Sequence, residues 1–246
     1  MFTVMKREIG GFLKSHRGYA FMAIFIMVFS VFLFIYQGHD TSEIELVKTE
    51  GVYPFYILEQ TIELLPLAFA VAIPMLTYDI FYHERSGGAG ALLRTLPFSA
   101  KGIFAGKYLA CEIVFVIAYA LINLVMWLLG LYRNIEIAKT LISILSYVLV
   151  CNALLAVNMF IAAVCKRRLV SLGVSYGVCV LLVIFFAIGS NNTGAVATVF
   201  SHLSVMGSFI PALYGILDLT ALILQITVCA TFTFLAYTYF KKDMAV

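Results

Sequence analysis

The chain has 246 residues, 63% of them hydrophobic and 12% charged, where an ordinary soluble domain runs at about 45–50% and about 25%. A water-soluble core of this size cannot hide so much apolar surface, so the sequence excludes a soluble globular domain and makes the bilayer its solvent. The net charge of +3 forms no basic stripe for nucleic acid, and all five cysteines fall in apolar runs, which excludes a disulfide framework.

The first element is amphipathic. In MFTVMKREIGGFLKS, Phe2, Met5, Ile9, Phe12 and Leu13 recur at helical spacing, while Lys6, Arg7 and Lys14 face headgroups, which predicts an interface helix over residues 2–15. Six apolar runs follow, at 19–36, 56–82, 108–131, 140–165, 169–189 and 218–239. Each approaches or exceeds the roughly 20 residues that a helix needs to cross hydrocarbon. The first run has no small-residue cleavage pattern and is too long for a signal-peptide core, so it reads as a retained span. Of 16 lysines and arginines, only Lys48, Arg133 and Lys139 fall on one side of this topology. The excess on the other side puts it, with both termini, in the cytoplasm. The predicted fold is an all-α polytopic membrane protein, one transmembrane domain over 1–246 with six transmembrane helices.

Within the second span, Pro66 and Pro74 interrupt the backbone hydrogen-bond ladder and predict a kink. The connection at 83–107, HERSGGAGALLRTLPFSAKGIFAGK, is rich in glycine and ends in Gly-Lys, as a phosphate-binding loop does. The loop pattern fails: Lys101 stands where its first glycine belongs, and Tyr108 replaces the hydroxyl residue that would hold magnesium. The dinucleotide fingerprint fails too, with Leu93 at its third glycine. Glu84 suits the positive end of a short helix, and Pro97 stops it.

Ionisable residues inside the spans (Glu59, Glu63, Asp79, Glu112 and Asp218) sit toward span ends, so none reads as a midplane proton relay. The deeper polar groups are Asn123, Tyr147, Asn152, Asn158 and Gln225. They suit either a cargo path or interhelical hydrogen bonds, and Asn152 and Asn158, six apart, face different sides of one helix. GVSYG, at 173–177, spells the serine-hydrolase elbow, but it lies mid-span without the strand-to-helix turn that exposes the serine. The same letters give a Gly-x-x-x-Gly face for close helix packing. The four histidines are dispersed, so no metal site is expected. Segment 195–214, with His202, serines and Pro211, reads as an outer-face re-entrant hairpin buried against protein.

The order of these features carries a resemblance. ERSGGAGALLRTLP, followed by GKYLA, resembles the coupling region of type-2 ABC transporter permeases. Glu84, Arg85, Gly88, Leu92, Leu93, Thr95, Leu96, Pro97, Gly106 and Lys107 match position by position. The likeness extends over the interface helix, the six spans and FSHLSVMGSFIPALYGILDL before the last one. Ala89, Ala91 and Gly90 depart from a usual threonine, glutamate and leucine, and the glycine loosens the short helix.

The resemblance implies a cytoplasmic coupling helix between the second and third spans, with Glu84, Arg85, Gly88, Leu92, Leu93, Arg94 and Pro97 contacting the ATPase. ATP and Mg would be bound by two copies of a separate ABC ATPase subunit, and this chain would hold no cofactor, metal or catalytic residue. A second permease chain, identical or related, would complete the unit in a bacterial cytoplasmic membrane. The expected cargo is an amphipathic peptide such as a toxin, bacteriocin or antimicrobial peptide, with lipid, drug or metal-site maturation cargo as alternatives. A polytopic enzyme would need a clustered catalytic set, and an ion-coupled carrier an internal repeat around midplane charge. The sequence displays neither.

Overall fold

A computed structural model describes residues 2–38, 66–82, 99–128, 137–191, 200, 204–213 and 215–245. Every regular element among them is helical, the arrangement that satisfies each backbone amide without water. We label them α1 (Phe2–Lys14), α2 (His16–Gly38), α3 (Pro66–Thr77), α4 (Ala100–Leu128), α5 (Ile137–Val164), α6 (Arg168–Asn191) and α7 (Leu219–Ala245). A 3-10 turn at Gly207–Phe209 and a short helix at Ile210–Leu213 lie between α6 and α7. Four stretches are long and apolar enough to cross a membrane: Ala100–Leu121, Leu141–Val164, Arg168–Gly189 and Leu219–Met244. Gly18–Val28 and Pro66–Thr77 are shorter apolar helices.

Local chemistry sets the boundaries that hydropathy could not. Helix α4 begins at Ala100, inside the stretch read from sequence as the connection, because Ser99 caps it. The Ser99 Oγ accepts from the Gly102 amide at 3.2 Å and its carbonyl from the Ile103 amide at 3.2 Å. Helix α3 stops at Thr77, three residues after Pro74, and a turn covers 78–81. There the Thr77 hydroxyl donates back to the Ile73 carbonyl at 3.1 Å, competing with the backbone at the helix end. Asp218 caps α7, its carboxylate accepting from the Thr220 amide at 2.9 Å. Gly215, at φ 76°, closes the helical turn before it, a backbone angle that disfavours other residues.

The joint between α1 and α2 also depends on one glycine. Ser15 Oγ donates to the Phe12 carbonyl at 2.9 Å and accepts from the Gly18 amide at 3.3 Å. A Cβ at Gly18 would collide with the Phe12 carbonyl, so only glycine allows the chain to turn so tightly here.

Helix α5 is the central post. It runs parallel to α7: Ile142 and Ser146 share a cleft with Ala221 and Leu222 at one end, and Phe160 meets Phe232 and Tyr239 further along. Helix α4 runs antiparallel to both, with Phe104 against Tyr237 and Phe240, and Tyr119 stacked on Tyr147. Small side chains, Ala153, Ala156 and Ala236 among them, are fully buried and let the backbones approach. An aromatic string runs Phe12, Phe21, Phe25, Phe69, Phe115, Tyr147, Phe209, joining α1 through α5 to the turn before α7. Ser143 Oγ donates to the Ala212 carbonyl at 2.9 Å, fastening the short helix to the same end of α5.

Candidate functional site

Two regions concentrate polar groups, and the first surrounds the ends of the 83–98 segment. Lys107, about two turns past the start of α4, is buried, with 3% of its side chain exposed. Its ammonium donates to the Ile80 carbonyl at 2.8 Å and to Glu8 Oε1 of α1 at 3.4 Å. A buried ammonium is costly unless it is paired and hydrogen-bonded, so these bonds tie α1, the turn after α3 and α4 to one another. On the other side of that turn, Asp79, also buried, faces Arg168 Nε at 3.9 Å. The Arg168 guanidinium lies over the Tyr82 ring, 4.0 Å from its centroid. Phe81 packs on Phe104 and Phe240, bringing in the end of α7.

Both ends of the segment are therefore gripped. The chain leaves the bundle at Tyr82, braced by Arg168 at the start of α6, and returns at the Ser99 cap, two turns before the lysine anchor. Lys6, Lys14, Lys101, Lys166, Arg167, Lys241 and Lys242 lie at this same end of the bundle, as the charge sorting in the sequence anticipated.

The second region is a groove of about 850 Å³ between α4, α5 and α7. Phe104, Leu149, Ile226 and Phe234 form its apolar walls, and Lys101 stands at its mouth. Tyr108, Asn152 and Thr233 supply the polar lining. The Tyr108 hydroxyl donates to Asn152 Oδ1 at 3.0 Å, and Asn152 Nδ2 donates to Glu112 Oε1 at 2.6 Å. Glu112 lies three turns into α4, hydrogen-bonded to Asn152 and not itself part of the groove's lining. A mostly apolar cleft with a few convergent polar groups is the general form of a small-ligand site.

Those of the residues that sequence reading grouped as a path whose side chains are described lie in different surroundings. Asn152 lines the groove. Tyr147 is fully buried in the aromatic string instead. Asn158 turns toward α6, donating to the Leu154 carbonyl at 2.9 Å and lying 3.6 Å from Cys179 Sγ, so the two asparagines do face different sides. Gln225 is fully buried on α7, one turn on from Ala221. Asn123 belongs to α4, and its side chain lies outside the described residues. So do the expected ATPase contacts Glu84, Arg85, Gly88, Leu92, Leu93, Arg94 and Pro97.

Among the described residues, no helix approaches Gly173 or Gly177: both are exposed, and a Cβ on either would meet nothing within 4 Å. Sequence reading missed the roles of Glu8 and Arg168, since Glu8 and Lys107 are 99 residues apart and nothing local pairs them.

A family profile described as ABC-2 family transporter protein matches residues 51–239. No curated protein matches the chain.

Proposed function

The chain belongs to the ABC-2 family of transporter proteins, and from that premise we propose that it works as the permease of an ATP-driven exporter. Membership makes it a multi-pass membrane component of an ABC transporter and a transport part, not an enzyme. We take the finer reading to be six spans, with a cytoplasmic coupling helix in 83–98 and the ionic frame at the cytoplasmic face. Two separate ATPase subunits bind ATP and Mg, and their closure pushes on Leu92, Leu93 and the residues around them. A second permease chain completes the unit in a bacterial cytoplasmic membrane. The open glycine face of α6 favours such a partner, since nothing among the described residues covers it.

One observation carries the reading: both ends of the segment are held by buried charges that reach α1, α4 and α6. A push on a segment so held moves the bundle, whereas a loosely tethered loop would absorb it. For cargo we favour an amphipathic peptide, because the groove offers apolar walls with a polar floor. Lipid or drug cargo is the second reading. The test is to purify the chain with the ATPase encoded beside it and introduce Leu92→Asp with Leu93→Asp. Complex formation and ATPase stimulation should both be lost. Full stimulation in that variant ends the coupling assignment.

A further inference from the structure

Helix α1 presents two faces. Val4, Glu8 and Phe12, spaced four apart, turn toward the bundle: Val4 is buried, Phe12 meets Phe21 edge-on, and Glu8 meets Lys107. Lys6, Arg7, Gly11 and Lys14 are exposed on the other side. Glu8 is the one acidic residue of α1, so the outward face is wholly basic. Lys6, Gly10 and Lys14 form a row in which the two lysines stand about 12 Å apart along the axis. A Cβ at Gly10 or Gly11 would meet nothing within 4 Å, so among the described residues nothing fills the space between them.

This face is held in place. The Gly18 joint and the Lys107 bond fix α1 against α2 and α4. Helix α2 in turn exposes Tyr19, Ile26, Met27 and Val31, an apolar surface suited to lipid. The Glu8 carboxylate is shared: one oxygen, Oε1, accepts from Arg7 Nη2 at 3.0 Å and from Lys107 Nζ at 3.4 Å. A phosphodiester matches the arginine fork in bidentate geometry. Arg7 can reach such a group and Lys107 cannot, because the Arg7 side chain is 61% exposed and that of Lys107 3%.

We propose that Lys6, Arg7 and Lys14 dock the headgroups of anionic phospholipids, and that the phosphate drawn to Arg7 leaves the Glu8 carboxylate to Lys107. Lipid charge then tightens the tie between α1, the turn after α3 and α4. An acidic protein surface would also suit three cations, but α1 is rooted in a helix whose exposed residues are apolar, which sets its basic face beside headgroups. The experiment follows amide exchange of residues 4–14 in the full chain. It compares nanodiscs of phosphatidylcholine alone with discs of equal parts phosphatidylcholine and phosphatidylglycerol. Each basic residue near an anionic surface contributes about fivefold to binding, so exchange should be at least about fivefold slower with phosphatidylglycerol. Lys6→Gln with Lys14→Gln should abolish most of that difference and leave the rate in phosphatidylcholine as it was. Arg7→Gln should slow exchange in phosphatidylcholine alone, because Lys107 then has Glu8 without a rival.

Equal exchange of the unaltered chain in the two bilayers overturns the docking surface. So does an equal acceleration by Lys6→Gln with Lys14→Gln in both, which would mark a structural role. Exchange in Arg7→Gln at or above the unaltered rate in phosphatidylcholine overturns the handover to Lys107. Potassium phosphate added to the phosphatidylcholine discs should change nothing; slowing by it would reassign the face to a soluble anion. Slowing by the ATPase, with no response to phosphatidylglycerol, would reassign it to that subunit. None of these results bears on the exporter reading, which stands or falls on ATPase pairing in the Leu92 and Leu93 variant.

Discussion

Helices α5 and α6 are joined by a short turn and are nearly alike in length and composition, yet they live in different surroundings. In α5, 72% of the most apolar window is buried inside the protein; in α6 the figure is 17%, although α6 is the more apolar of the two. In water that order would be reversed, because apolar surface would be driven inward. In a bilayer the lipid tails are as apolar as leucine, so hydrophobicity places a helix in the membrane without saying what it touches. Burial there follows from shape and polarity instead. Helix α5 carries Ala153, Ala156, Asn158 and Tyr147, which are small or able to hydrogen-bond, while α6 presents Leu169, Val170, Val180 and Ile184 outward.

The contrast breaks most visibly at Tyr147. Tyr147→Ala should cost about 3–5 kcal/mol, the usual loss for emptying a buried aromatic site, read as a lower melting temperature of the detergent-purified chain. Val180→Ala on α6 should leave the midpoint where it was. Equal losses from the two would show that α6 is packed as closely as α5.

A smaller effect is expected where the frame meets the bundle. Lys107→Gln removes a charged donor to the Ile80 carbonyl and Glu8, worth about 1.5–3 kcal/mol. It should release α1, seen as faster cleavage by added protease between residues 2 and 14. Overpacking α5 comes next: Ala153→Leu should cost about 1–3 kcal/mol in the same melt, since its neighbours leave no room. The smallest effect on folding belongs to Gly173→Leu with Gly177→Leu. Melting should not fall, because both positions are open. If a second copy packs on that face, cross-linking between α6 helices of two chains should nevertheless disappear. Unchanged cross-linking would mean that this face meets only lipid.

Much of the membrane character was legible in the chain because it depends on local sums and periods. Apolar runs located the four long helices, the charge sorting anticipated which end of the bundle is basic, and the spacing of Met5, Ile9 and Phe12 announced α1. Local hydrogen-bonding chemistry shifted the boundaries. The Ser99 cap drew the start of α4 into what looked like a connection, and α3 ended at Thr77, short of the predicted span end. Among the described residues singled out as a path, Asn152 lines the groove, and Glu112 is hydrogen-bonded to it.

By itself the sequence determined the solvent, the helical fold class and the family, since each follows from composition, hydropathy or motif order within short windows. Only the tertiary structure decided which apolar faces meet protein, that Lys107 finds Glu8 from 99 residues away, and that Lys101, Tyr108 and Asn152 open onto one groove. The reason is that transfer into oil is additive residue by residue and indifferent to neighbours, whereas pairing and packing depend on distances that arise only after the helices have assembled.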